Sequence, residues 1–546
     1  MKKTPTIAPI HNVSRPVDMH RRLVQSSVSP TIPSSLMPFG DFSTKQPLPL
    51  PLMHDPGLPG ALSVSIDEHY WFISQTDPKV ICEGQLYSSG AKGPLVLIFP
   101  FDYGGQNGPN WLQYKALGRH LASYGFNVAT SSRKKGLSSD IILQETFSYL
   151  YGGKKNIMSP LSKFGNKLEN SMAVIGHSHG GSDMIHFSRL VRKPSLNWVT
   201  PRDLKSLVLL APSFGPGKDD YYQNFSPLVP QFDSSTDSFL GISVTHDADN
   251  NAYGKKRLDQ PMLSNFLMYD TFGSSFNELD WSSVEKDMIF AHGDTSPVPY
   301  SHGMQDKKFV LAYVAAFLRK HVKGDIIYDS IFKLQIRPPS LASVKLWQQH
   351  EERSRIGVFD GDQKSTFFKS LQASPEGIHL TTSIAWQKDQ YSPHLSKQLK
   401  VYWLRSSPNQ GPNWFSIELN DLDVSSCRFL SFRLGQVFIG AGKPAVDMRI
   451  VLDNIASPIV LLSNHGGKIH FPVTTGFHDT MVLPAVFRNT TKSAMRTYVI
   501  PLSAFNNTGI FKSLKSIKFV LSDDKLKSNG DSSAVLCLDT VAFWPE

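Results

Sequence analysis

Residues 172–184 read MAVIGHSHGGSDM, and this stretch decides the fold. Met172 to Ile175 is an apolar run of the length of a buried strand, and it runs directly into Gly176. Gly176, Ser178 and Gly180 then spell G-x-S-x-G, while Met184, Phe187 and Val191 follow at helical spacing. Strand, sharp turn, helix is the setting that lifts a serine hydroxyl above the end of a sheet. Glycines flank it because side chains there would strike the strand or the helix. The dipole of the following helix also favours negative charge developing beside the serine. Five positions with three fixed residues recur by chance; the flanking strand and helix make this occurrence informative.

The same alternation extends outward on both sides. Upstream, Pro94 to Phe99 is a strand run; Trp111, Tyr114, Leu117 and Leu121 recur at helical spacing; Gly125 stops that helix; and Phe126 to Ala129 returns to strand. Downstream, Leu207–Leu210, Leu240–Val244 and Met288–Phe290 are further strand candidates, and Val310, Val314 and Phe317 mark a final helix ending near Gly324. Strands alternating with helices predict a mostly parallel sheet covered on both faces, an α/β domain over residues 61–335.

Beyond residue 345 the helical period disappears. Val446, Met448, Ile450 and Leu452 alternate with other residues, as do Leu430, Phe432 and Leu434, and Ile517, Phe519 and Leu521. Period-two runs separated by Gly, Asn, Ser and Pro predict an antiparallel β-sandwich over residues 345–546. Residues 1–60 are polar and Pro-rich, with PLPLPL at 47–52, and are expected to form a flexible basic arm.

A serine hydroxyl is a poor nucleophile until a histidine takes its proton and an acid orients that histidine. On a strand-turn-helix elbow the partners follow in the order serine, acid, histidine. The run Leu240–Val244 is followed by Asp247 and Asp249, so one of these is the expected acid, with Asp249 favoured. His292 follows Met288–Phe290 at once and is the expected base; His302, nearer the final helix, is the alternative. An oxyanion hole needs two backbone N–H donors. His179 supplies one, and Asp102 or Tyr103, in the loop after Phe99, supplies the other. His177 and His179 have the spacing of a metal pair but no third ligand, and the chemistry requires no metal or organic cofactor.

Composition is ordinary for a globular chain, with 40% hydrophobic and 19% charged residues. The formal net charge is +10, and Lys2, Lys3, Arg15, Arg21 and Arg22 stand against Asp18 near the start. Such a patch could meet an anionic membrane surface, but no nucleic-acid motif accompanies it. Cys82, Cys427 and Cys537 are widely spaced and make no disulfide framework; the last two read as small core residues. No run of eighteen apolar residues occurs, and no apolar stretch follows the first lysines. A cytoplasmic location is the default expectation, with signal-less secretion the alternative.

The segments LVLIFPFDYGG (95–105), YKALGRHLASYGFNV (114–128), AVIGHSHGG (173–181) and VLAYVAAFLRKHVKGD (310–325) together resemble bacterial α/β-hydrolases of the polyester-hydrolase and platelet-activating-factor-acetylhydrolase type. The resemblance implies an α/β-hydrolase fold, a Ser178 nucleophile, His179 as an oxyanion donor, and an acid in THDADNNAYG (245–254). Two departures stand out: Pro100-Phe101-Asp102 replaces the usual strand–HG oxyanion motif, and Ala291-His292-Gly293-Asp294 aligns only with a gap. The C-terminal part resembles, more loosely, jelly-roll galactose-binding-like domains, with CLDTVAFWPE (537–546) as its closing strand. The expected activity is carboxylic-ester hydrolysis through an acyl-enzyme, on a small-molecule or lipid ester. Two competitors are a membrane-acting lipase or phospholipase, and an inactive shell whose C-terminal module binds glycans through Trp403, Trp414 and Trp544.

Overall fold

Nine strands assemble the first sheet: β1 (Ile66–Ile73), β2 (Ile81–Ser88), β3 (Gly93–Phe99), β4 (Asn127–Thr130), β5 (Leu168–His177), β6 (Leu204–Leu210), β7 (Ser238–His246), β8 (Lys286–Asp294) and β9 (Leu346–Glu351). The structure, a computed structural model, describes residues 55–100, 110–132, 145–146, 160–177, 180–181, 184, 187, 204–210, 238–246, 285–294, 307–342, 344, 346–359, 367–370, 378–382, 397–403, 414–437, 445–453, 460–469, 473–476, 489–492, 495–506, 508–521 and 534–545.

The strands lie in the order β1-β2-β4-β3-β5-β6-β7-β8-β9. From β4 to β8 every pairing is parallel, whereas β1–β2, β2–β4 and β8–β9 are antiparallel. A parallel sheet must be covered on both faces, which is why its strands are continuous apolar runs. Val96, Ile98, Ala173, Ile175, Val208 and Ile242 enter one apolar cluster, and their neighbours Leu95, Leu97, Met172, Val174, Leu207 and Leu209 enter the other. The first cluster is closed by α1 (Lys115–Ser123) and α2 (Lys308–Leu318), through Leu117, Leu121, Val310, Val314 and Phe317. Gly125 just beyond α1 has φ +80°, a left-handed conformation that ends the helix where the sequence expected. α2 passes into a π turn at Arg319–Lys323, which Gly324 ends at φ +76°.

Thirteen further strands follow among the described residues: β10 (Ile356–Phe359), β11 (Phe367–Ser370), β12 (Ile378–Thr382), β13 (Lys397–Trp403), β14 (Trp414–Leu422), β15 (Phe429–Val437) and β16 (Met448–Leu452). Then come β17 (Val460–Leu461), β18 (Val473–Gly476), β19 (Asn489–Lys492), β20 (Arg496–Pro501), β21 (Leu514–Leu521) and β22 (Ala534–Trp544). One sheet runs β12-β13-β22-β15-β20 with β10 on β22; another runs β11-β14-β21-β16-β17; β18 and β19 form a pair. All these pairings are antiparallel. The alternating residues Leu430, Phe432 and Leu434 join Met448, Ile450, Leu452, Ile517 and Phe519 in one apolar cluster drawn from both larger sheets. The alternation hides a second burial: Ser431 and Arg433, on the opposite face of β15, are also buried.

Two boundaries differ from expectation. β9 was expected to belong to the all-β part beginning at 345, yet it is hydrogen-bonded to β8 as the last strand of the first sheet. Residues 1–54 lie outside the described residues, but Asp55, expected in the arm, is buried and accepts hydrogen bonds from the Ser340 backbone N–H (2.8 Å) and hydroxyl (2.7 Å). The three cysteines are buried. Among the described residues no helix is long and apolar enough to cross a membrane.

Candidate active site

Because β3 to β8 are parallel, their carboxyl ends share one edge of the sheet. β4 lies on one side of β3 and β5 on the other, so the chain reverses its direction of travel across the sheet between β3 and β5. The crevice beyond the carboxyl ends at such a switch point is where open α/β sheets bind ligands. Phe99, the last residue of β3, pairs with Gly176 in β5, so the two strands end side by side.

The glycines of the G-x-S-x-G pattern are in close contact. A Cβ on Gly176 would stand 2.3 Å from the Gly180 carbonyl oxygen and 2.7 Å from the Gly181 Cα. A Cβ on Gly180 would stand 2.6 Å from the Phe99 carbonyl oxygen and 2.5 Å from that of Pro100. Backbone atoms cannot move aside cheaply, so neither position admits a side chain. Gly180 therefore lies close against Gly176 and against the end of β3. Gly180, Gly181, Met184 and Phe187 are helical, and Met184 and Phe187 are buried in the second apolar cluster. Strand β5 thus precedes helical residues at Gly180 and Gly181, while Ser178 and His179 between them lie outside the described residues.

His177, the last residue of β5, is fully buried, and its Nδ1 lies 2.8 Å from the Tyr114 hydroxyl. Tyr114 closes the 3-10 turn Asn110–Tyr114 that leads into α1, so the pair ties this turn to the end of β5. His177 thus has a hydrogen-bonding partner in Tyr114, while His179, the other half of the His-x-His spacing, lies outside the described residues. Sequence reading placed Tyr114 in the core by its helical period, but nothing local pointed to His177 as its partner.

The other expected site residues fall as follows. Ser178, His179, Asp102, Tyr103, Asp247, Asp249 and His302 lie outside the described residues. β7 runs to His246, so Asp247 is the first residue beyond it. β8 runs to Asp294, so His292 lies within the strand and not after it, because the pairing with β7 continues to His246↔Asp294. Of the three tryptophans proposed as sugar platforms, Trp544 is fully buried, its ring packed edge-on to that of His350 at 5.1 Å. Trp414 is half-buried with the Lys518 ammonium 3.8 Å above its ring, and the Trp403 side chain lies outside the described residues.

No protein-family model matches the sequence, and no curated protein matches it. Among solved structures, the chain is similar to esterase Est22 at 15% identity, over 33% of this chain and 63% of that one, with a TM-score of 0.24. It is also similar to esterase B from Lactobacillus rhamnosis (16% identity, 50% of this chain, 88% of that one, TM-score 0.30). A fungal esterase from Rhizomucor miehei follows at 14% identity, 48% of this chain, 85% of that one and a TM-score of 0.26. The chain spans less than two thirds of the length of Est22.

Proposed function

We propose that the chain is a serine hydrolase of the α/β-hydrolase type that cleaves carboxylic esters. The observation that carries this is the contact between Gly176 and Gly180 at the carboxyl end of β5, beside the switch point of the sheet. That contact is what a nucleophile elbow requires on either side of its serine. Ser178 attacks the ester carbonyl while a histidine accepts its proton. The oxyanion is held by the backbone N–H of His179 and that of Asp102 or Tyr103. Collapse expels the alcohol, which takes the proton from the imidazolium, and water then releases the acid from the acyl-enzyme.

Asp249 or Asp247, just beyond β7, orients the imidazole. For the base, spacing across the sheet is informative. β5 and β8 are three strand steps apart, roughly 14 Å at the usual inter-strand distance. A histidine held inside β8 would have to bridge that gap to a hydroxyl that follows β5. His302, in the segment between β8 and α2, has chain enough to reach back, and this favours it over His292.

In this proposal the two antiparallel sheets with their common apolar cluster form a jelly-roll-like sandwich whose role is structural cover for the hydrolase part. The burial of Trp544 argues against that aromatic as a glycan platform. The substrate class is a small-molecule or lipid ester. The test is a fluorogenic ester series of increasing chain length on wild type, Ser178→Ala, His302→Ala and His292→Ala, with and without anionic vesicles. Loss of turnover in Ser178→Ala and in one histidine variant is the expected result; unchanged turnover in Ser178→Ala contradicts it. A rate raised by vesicles and highest on long chains would move the proposal to a membrane-acting lipase.

A further inference from the structure

The charged residues of the β8–β9 ladder sort onto two faces. Lys286 pairs with Glu351 and Asp287 with His350 across the antiparallel register. Side chains alternate along a strand, so Lys286 and Glu351 share one face, and Asp287 and His350 share the other. Glu285 and Glu352, next along the two chains, fall on the face of Asp287 and His350. On the first face one carboxylate serves three cations: Glu351 takes Lys286 at 2.9 Å, and also Arg355 and Arg433.

The second face is not closed in this way. Glu285 holds Lys320 at 2.6 Å and Glu352 holds Lys333 at 2.9 Å, which relieves part of the repulsion between carboxylates on one face. His350 is fully buried. Its Nδ1 lies 2.8 Å from Asp287, while its Nε2 has no hydrogen-bond partner and stands 3.8 Å from a Glu352 oxygen. His321, in the π turn after α2, repeats the arrangement: its buried Nε2 has no hydrogen-bond partner and lies 3.7 Å from a Glu285 oxygen. Separations of 3.7–3.8 Å are too long for hydrogen bonds. They match two donors that share one ion, since ligand atoms about 2.1 Å from a metal lie about 3–4 Å from each other. One ligand atom from each of Glu285, His350 and Glu352 lies within 4.8 Å of the others.

We propose that Glu285, His350 and Glu352 form a divalent-metal site of the zinc type, with Asp287 as the residue that positions His350. A carboxylate on one imidazole nitrogen, leaving the other free for a cation, is the usual support for a metal-bound histidine. Mixed imidazole and carboxylate donors suit zinc and its neighbours better than magnesium or calcium, which take oxygen alone. The Glu352 oxygen that faces His350 is the one Lys333 holds, and Lys320 likewise holds a Glu285 oxygen, so an ion here shares these carboxylates with the lysines. The site lies at the amino end of β8, away from the carboxyl edge, so its role is to clamp the start of β8 to the end of β9. Such an ion contributes directly to folding stability.

The test uses the full-length, untagged protein dialysed against EDTA and titrated calorimetrically with zinc, with magnesium as the comparison. One equivalent of zinc should bind and raise the melting temperature, and magnesium should do neither. Glu352→Gln and Glu285→Gln should weaken zinc binding tenfold or more, and Asp287→Asn, which touches no ion, about tenfold. On the native chain, cobalt(II) should quench the fluorescence of Trp544, which packs against His350, so the test does not depend on every variant folding. Absence of stoichiometric zinc binding, unchanged affinity in the folded glutamine variants, or cobalt binding without quenching would each overturn the proposal.

Discussion

The carboxyl end of β5 and the amino end of β8 lie in one sheet and are built by opposite means. At β5 the backbone itself is close-packed: glycines touch glycines and carbonyl oxygens, and the one buried polar pair described there is Tyr114 with His177. At β8 the packing is done by charge, with Lys286, Asp287, His350, Glu351 and Arg433 all buried within the protein. The first arrangement demands small residues at fixed positions and tolerates no added atom. The second tolerates size but demands that every charge keep its partner. A turn that must present a reactive hydroxyl needs the precision of the first. A seam between two folded parts can use the second.

Glu351→Leu breaks the charge-built end and should have the largest effect on stability. It leaves Lys286 and Arg433 buried with their main counter-charge gone, at a cost of about 3–5 kcal/mol, read as a fall in the urea midpoint. Where that variant remains folded, its ester turnover should stay close to wild type, because the carboxyl edge is untouched. Gly180→Ala breaks the other end. Its Cβ would meet the Phe99 and Pro100 carbonyl oxygens, and overpacking of this kind costs about 1–3 kcal/mol. Its distinguishing mark should be turnover reduced about a hundredfold at temperatures where circular dichroism is unchanged, because a small displacement of the elbow misaligns the reacting groups. Tyr114→Phe is milder: it strips the hydroxyl from His177 and should cost about 1–2 kcal/mol, with a smaller loss of turnover.

The smallest expected effect comes from pH. Burial holds the His120 imidazole below its ordinary value, and its Nε2 lies 2.9 Å from the Pro56 carbonyl oxygen, to which it can donate. The folded protein therefore keeps His120 neutral while the unfolded chain protonates it. Its contribution is complete above the unfolded value and is lost as pH falls toward the depressed folded one. For a single proton the slope cannot exceed about 1.4 kcal/mol per pH unit. The urea midpoint should fall between pH 7.5 and 5.5 by less in His120→Gln than in wild type.

The same contrast explains what was legible in the sequence. β3 to β8 were readable because their apolar runs are local, and the close approach of Gly176 and Gly180 because strand, glycines and helix occupy one short segment. β9 was not, since its sequence LWQQHE shows neither an apolar run nor a two-residue period. It is buried because its polar groups find distant partners: Gln349 donates to the Met495 carbonyl, 146 residues away, and His350 meets Asp287, 63 residues away. Arg433 looked like the solvent side of an alternating strand for the same reason. β1 escaped notice because an edge strand with half its residues exposed carries a weaker apolar signal, and β2 because ICEGQLYS contains no apolar run although most of it is buried. For the proposed triad, chain order leaves Asp247 and Asp249 as the expected acids, and both lie outside the described residues. The continuation of β8 to Asp294 is a matter of pairing with β7 and could not be read from Met288–Phe290 alone.

The most direct test of the central claim is fluorophosphonate labelling of the native chain, with the modified peptide located by mass spectrometry. The elbow at the carboxyl end of β5 requires one equivalent of label on Ser178, abolished in Ser178→Ala and retained, at a reduced rate, in Gly180→Ala. Label on another residue, or a native protein that takes none, would contradict it.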